Sequence, residues 1–399
     1  MGRSRDRGVE MTYPLEGVRV LDLSRVLAGP FAGRMLSDLG ADVVKLEPPQ
    51  EDLTRLWGEV IGGVPGYFHQ QNAGKRDVCI DLSVPEGVAL AKQLAAKADI
   101  VIENFRPGVM DRLGLGYRQL NAARKDLILL SISGFGQDSP ESQRMAYAAV
   151  IHAESGLVKR QARDGRPPQD IRVSMSDTNA ALHGLVAVLA AMHLRQTTGL
   201  GQHIDMSMLD ATVVTDDQLL YHLEDSHATG PAVSDIWDTG FGPVLIAGDF
   251  RHIWRQLNTR TDVEDPTQEG ASLEQKIQQR RESAATFFRS LRTRAEVQEI
   301  MGSLGLAWGE VRDSSTLMES DSVRHRGVLT EVDDRVGGLR VIPQSPYRFS
   351  DAEAAVRSGA PHRGEHNEEV LRDWLELNDE DMGRWLASDA LVAAELCRT

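Results

Sequence analysis

Val18-Arg19-Val20-Leu21-Asp22-Leu23 is an apolar run too short for a helix, and Asp42-Val43-Val44-Lys45-Leu46-Glu47 has the same character. Between them, residues 31–39 carry helical periodicity that Gly40 ends, and Pro48-Pro49 stops the second run. The alternation continues with a helix over 85–97, a strand over 99–103, further helical turns and a strand over 127–133. Strands separated by helices of this length join through right-handed crossovers into a parallel sheet. The N-terminal third thus reads as a doubly wound α/β layer.

Downstream, residues 177–195 form the longest apolar helix, rich in small residues (Ala180, Ala181, Gly184, Ala187) that admit a close neighbour. Gly199-Leu200-Gly201 turns the chain into the apolar alternation of 204–209, and residues 211–234 read as a linker. A second unit starts near Asp235 with the strand Val244-Leu245-Ile246, followed by a charged, helix-rich stretch to about 322. Residues 323–399 hold a strand from Gly327, a proline cluster at 343–346 and an amphipathic helix over 368–376.

Composition narrows the function. Across 399 residues, 41% hydrophobic and 26% charged, the chain has a soluble globular profile and room for two domains. Its net charge of -15 excludes a nucleic-acid binder, which needs clustered Lys and Arg, but leaves room for a local anion pocket. Two cysteines, Cys79 and Cys397, make neither a disulfide framework nor a metal site, so no metal is expected. No run reaches the length of a membrane span, and residues 1–14 read as a flexible leader without a signal peptide's apolar core. The expected compartment is the cytoplasm.

Read as residues alone, the motifs leave alternatives open. Asn72-Ala73-Gly74-Lys75-Arg76 is an anion site or a solvated charge pair. Asn104 and Arg106 end a strand where open parallel sheets bind ligands, so they read as a phosphate-binding pair or a capped loop. Asp177, at the start of the long apolar helix, is a natural N-cap. His152, His183, His193 and His203 form no metal or triad spacing.

In order, these motifs resemble the family III CoA-transferases, which include formyl-CoA and carnitine CoA-transferases and 2-methylacyl-CoA racemases. The likeness runs through Leu15-Glu16-Gly17-Val18-Arg19-Val20-Leu21-Asp22-Leu23, Leu27-Ala28-Gly29-Pro30, Asp38-Leu39-Gly40-Ala41-Asp42, Glu103-Asn104-Phe105-Arg106-Pro107-Gly108 and Asp205-Met206-Ser207-Met208-Leu209-Asp210. It implies a large CoA-binding α/β domain built from 15–210 and the returning 323–399, a smaller α+β domain over 235–322, and an interlocked homodimer. It implies acyl-CoA and a carboxylic acid as substrates, with Asp177 as the nucleophile. Arg55, Asn72, Lys75, Arg76, Asn104, Phe105, Arg106 and Met110 match the family's CoA-binding stretches, and Gly240 and Gly242 its glycine-rich active-site loop.

The chain also departs from the family pattern. Tyr147 stands where the racemases carry a histidine, which favours acyl transfer over racemisation or other α-proton chemistry. Leu27 and Pro48 replace a Gln and an Arg that contact CoA in formyl-CoA transferases, and Gly230-Pro231-Ala232-Val233-Ser234-Asp235 replaces an Asn-Arg-His-Pro type segment. A noncatalytic CoA-binding relative is the third alternative.

Overall fold

The computed structural model describes residues 12–160, 167–224 and 234–393. The start of the leader, the Gly230–Val233 departure and Cys397 lie outside these. Six strands form one parallel sheet: β1 (Arg19–Asp22), β2 (Asp42–Glu47), β3 (Arg76–Cys79), β4 (Ile100–Glu103), β5 (Ile128–Ser133) and β6 (His203–Ser207). Their order is β3-β2-β1-β4-β5-β6. Strand β6 is the stretch read as apolar alternation, and β3 is the polar-looking Lys75-Arg76 cluster continuing into Val78 and Cys79.

Period-two alternation explains why both faces are covered. Val20, Val43, Ile100, Ile102, Ile128 and Leu130 face one core, packed by helices α1 (Ala28–Asp38) and α3 (Met175–Thr198), with the short α2 (Ala148–Glu154) beside them. Leu21, Val44, Val101 and Leu129 face the other, covered by helix Pro85–Lys97 and the C-terminal helix Asn367–Leu375 with its fully buried Trp374. Each such buried aliphatic side chain contributes about 1.5–3 kcal/mol, so a one-residue slip of any strand would exchange the two cores.

The chain divides into two compact units, one of residues 1–217 with 326–399 and one of residues 218–325. In the first, Asn367 receives the Cys79 N–H on Oδ1 at 2.9 Å, and the Trp374 indole donates to Asp42 at 2.7 Å. These bonds tie the C-terminal segment to the sheet. In the second, β7 (Asp235–Asp238), β8 (Pro243–Ala247) and β9 (Ala307–Glu310) make an antiparallel sheet with β8 in the middle. Val244 and Ile246 point into a core with Trp237 of β7 and with Ile253, Trp254 and Phe288 from the helices that follow. Two of those helices begin with capping boxes, Ser272 with Gln275 and Thr293 with Glu296. A hairpin of β10 (Leu329–Asp333) and β11 (Leu339–Pro343) belongs to the first unit.

The linker read over 211–234 starts later than expected, because helix Met208–Val214 continues across 210. Ser207 caps it by accepting the Asp210 N–H at 3.1 Å. No helix among the described residues is long and apolar enough to cross a membrane.

Candidate active site

The order of the sheet reverses between β1 and β4, whose following loops lead to opposite sides. Ligands of open α/β sheets bind in the crevice this creates at the strands' carboxyl ends. A cleft of about 490 Å³ lies there. Its walls come from the loop after β1 (Arg25, Val26, Ala28), the loop after β2 (Gln50 to Leu53), the loop after β4 (Asn104 to Pro107) and the segment Ser142 to Tyr147. Asp177 lies among the lining residues.

Asp177 is not the N-cap residue of its own helix. Ser174 occupies the N-cap position of α3, and Asp177 sits in the first turn. Its carboxylate lies near the backbone N–H groups of Ala148 and Ala28, the first residues of α2 and α1, and near its own N–H, and all three favour the ionised form. Neither of those helices has a side-chain cap or an acidic residue in its first turn. One carboxylate thus serves two helix N-termini from distant parts of the chain. Burial nevertheless dominates and lifts Asp177 from 3.8 to about 6, against the three backbone N–H groups that favour its ionised form.

Glycine makes this approach possible. A Cβ on Gly29 would stand 2.1 Å from the Ser24 Cβ, so the chain could not otherwise fold back from β1 into α1. Val26, between them, adopts φ of 69°, a left-handed conformation that a β-branched residue takes up only under constraint.

Of the eight residues expected at CoA, the structure brings Asn104, Phe105 and Arg106 to the cleft. Asn104 uses its side chain on the backbone of Arg25, accepting N–H at 2.8 Å and donating to the carbonyl at 2.7 Å. Arg25 lies over the Phe105 ring, 5.5 Å from its centre. Arg106 is exposed at the rim and has no carboxylate partner among the described residues. The other five do not line this cleft. Lys75 is buried against Asp22 at 2.8 Å and also donates to Pro30 O and Asn72 Oδ1. Burial pushes Asp22 up, but Lys75 and then Lys45 outweigh it and hold the carboxyl below its ordinary range. Asn72 donates to the Phe68 carbonyl. Arg55 is buried on Glu47 at 2.5 Å, stacked 3.7 Å over Phe68. Arg76 reaches Asp42, Glu369 and Asp373, and Met110 is buried in the second core. Gly240 and Gly242 form the β7–β8 turn of the second unit, where Thr239 N–H donates to the Gly242 carbonyl at 3.1 Å.

Two residues near Asp177 escape sequence reasoning. Tyr67 is held up to about 12 by its own burial and then by the nearby carboxylates of Asp177 and Asp52. His152 is buried behind the turn that carries Asp177, its Nε2 accepting the Ser176 N–H at 3.3 Å and its Nδ1 facing Asp170. No histidine is among the described residues lining the cleft, while Tyr147 lies on its edge, 55% exposed. No cluster of metal-ligating side chains occurs among the described residues.

A family model described as CoA-transferase family III matches residues 15–367. The chain belongs to CoA-transferase family III. This family III chain is 29% identical over 397 residues to the succinyl-CoA:glutarate CoA-transferase of Homo sapiens, covering 94% of this chain and 89% of that one. It is 31% identical over 402 residues to the succinate–glutarate CoA-transferase of Agrobacterium fabrum, covering 90% and 95%. Among solved structures, a CaiB/BaiF family protein from Brucella suis superposes with a TM-score of 0.79 at 29% identity, over 92% of this chain and all (100%) of that one.

Proposed function

We propose that this family III enzyme moves CoA from an acyl-CoA thioester to a carboxylic acid, with Asp177 as covalent nucleophile. The observation that carries this reading is the Asp177 carboxylate in the cleft, held between the N–H groups of Ala28 and Ala148. Asp177 attacks the thioester carbonyl; the C–S bond breaks and leaves a mixed anhydride and CoA thiolate. The thiolate attacks the aspartyl carbonyl, expelling the donor carboxylate and leaving an aspartyl-CoA thioester. An acceptor carboxylate attacks that thioester, giving a new anhydride and thiolate. The thiolate then takes the acceptor's acyl group and restores Asp177. One thioester replaces another, so neither water nor ATP is consumed. The amides that hold the carboxylate are placed to stabilise the oxyanions that form on the same carbon.

Arg106 and Arg25 supply the cationic rim for the CoA phosphates, and Phe105 an aromatic face. Leu182, Val186 and Leu189 are exposed along α3 opposite its buried Ala181, Leu185 and Val188, a stripe suited to covering in a homodimer. Racemisation would need a second base facing the substrate, and the cleft offers Tyr147 rather than a histidine.

The test is trapping. Enzyme incubated with succinyl-CoA and hydroxylamine should acquire a hydroxamate on the peptide containing Asp177, read by mass spectrometry. Asp177→Asn should show neither label nor CoA transfer to a panel of carboxylic acids that includes glutarate. Transfer at wild-type rate by Asp177→Asn overturns the reading, as does exchange of the substrate's α-proton with solvent without any label.

A further inference from the structure

Three successive residues between β1 and α1 are gripped by side chains from elsewhere in the sheet. Lys45 Nζ, on β2, donates to the Ser24 carbonyl at 2.9 Å. Asn104, after β4, takes both backbone groups of Arg25. Asp52, after β2, accepts the Val26 N–H on both carboxylate oxygens, at 3.3 and 3.2 Å. Val26 is the residue in the left-handed conformation, and Ala28, whose N–H meets Asp177, follows two positions later.

Asp52 is itself firmly built. It is buried, accepts from the Thr54 N–H at 3.0 Å and the Thr54 hydroxyl at 2.9 Å, and pairs with the fully buried Lys45 at 3.1 Å. Its own N–H is fixed on Glu47 at 2.8 Å. Burial opposes its ionisation, but Lys45 first and then Thr54 hold it down to about 2, so it carries its charge throughout the working range. A charged acceptor is the strongest hold available to a single N–H. Released, a valine would return to negative φ and rotate the peptide that leads into α1.

We propose that Asp52 is a positioning residue for the transfer reaction: by gripping the Val26 N–H it keeps the β1–α1 turn left-handed and so aims the Ala28 N–H at Asp177. The kinetic consequence rests on Asp177 being the nucleophile; the geometric one does not. Loss of the Ala28 amide removes one of three N–H groups that favour the ionised carboxylate, so Asp177 should titrate at higher pH. Besides Asp52 itself, the charged or titratable groups around it are Tyr67 on helix Gly66–Asn72, His152 on α2 and, lining the cleft, Arg25, Glu51, Arg106, Arg144 and Tyr147. None of these is altered by the variants below.

The test has one readout that needs no substrate. Thermal unfolding of each protein and of its Asp177→Asn counterpart, compared from pH 4.5 to 8.5, gives the midpoint at which Asp177 titrates. In Asp52→Asn this midpoint should rise by about half a pH unit or more, as one of the three N–H groups that favour the ionised carboxylate is withdrawn. In Thr54→Val, which removes only one bond to Asp52, it should rise by a few tenths. Adding Val26→Gly to Asp52→Asn should return at least half of the rise, because glycine holds positive φ unaided. With succinyl-CoA as donor and glutarate as acceptor, kcat of Asp52→Asn should fall at least tenfold while KM changes less than threefold. An unmoved midpoint in folded Asp52→Asn overturns the proposal, and so does a rise that Val26→Gly leaves untouched. If Asp52→Asn does not fold, the midpoint in Thr54→Val decides. If the wild type transfers no CoA, the nucleophile reading fails while the midpoints still judge the clamp.

Discussion

Replacing Asp177 by asparagine should abolish transfer and make the protein more stable at neutral pH. Burial lifts the folded carboxyl to about 6, while the unfolded chain titrates it near 3.8. Between those values the folded state keeps a proton that the unfolded state has lost, so this group's effect on stability worsens as pH rises through the window and is constant above it. A gap of about 2 pH units, at about 1.4 kcal/mol each, is a cost of about 3 kcal/mol at pH 7.5. Asparagine has the same shape, keeps an oxygen for the Ala28 or Ala148 N–H, and carries no charge to desolvate. The variant should therefore melt on the order of 5 °C higher at pH 7.5, and its advantage should fall to about half at pH 5. Circular dichroism melts of both proteins across pH 5 to 8.5 provide the measurement. A variant less stable than wild type at pH 7.5, or an advantage independent of pH, would refute the reasoning.

The same carboxyl sets an acid limb: log kcat/KM should rise with unit slope to about pH 6 and then level, since the ionised form attacks. Arg106→Ala removes a rim cation suited to a CoA phosphate and should raise KM for acyl-CoA roughly 10- to 100-fold with kcat nearly kept, for a charge-assisted bond of about 1.5–3 kcal/mol. Asp22→Ala would leave Lys75 buried and uncompensated, costing about 3–5 kcal/mol; urea unfolding should show the loss with no dependence on CoA. Val186→Asp places a charge on the exposed stripe of α3; if that stripe is covered in a homodimer as proposed, the wild type should sediment as a dimer and this variant as a monomer.

The sheet was readable because its local signals agree. Asp42–Glu47 and Pro85–Lys97 have the bounds their patterns indicate, with Pro48-Pro49 and a proline at the helix start as punctuation. β3 hid because its first residues, Arg76 and Asp77, are charged, and their partners lie far along the chain at Glu369, Asp373 and Gly364. Distance in sequence obscured the site in the same way. Lys75 and Arg55 carry the chemistry of anion ligands, yet the carboxylates of Asp22 and Glu47 meet them inside the protein. Asp177 stood at a helix start and read as that helix's cap; no local pattern indicates that it also faces the starts of α1 and α2. Tyr67 had no motif to mark it at all.

An aspartate that bridges two foreign helices at a net cost to stability is exposed to drift in one direction. A lineage released from the need to turn over substrate would gain by a single-base change to asparagine, which keeps one acceptor oxygen and removes the desolvated charge. Structural duty alone would not retain the acid. On the proposed mechanism, selection for chemistry at 177 is what would oppose the change to an uncharged amide.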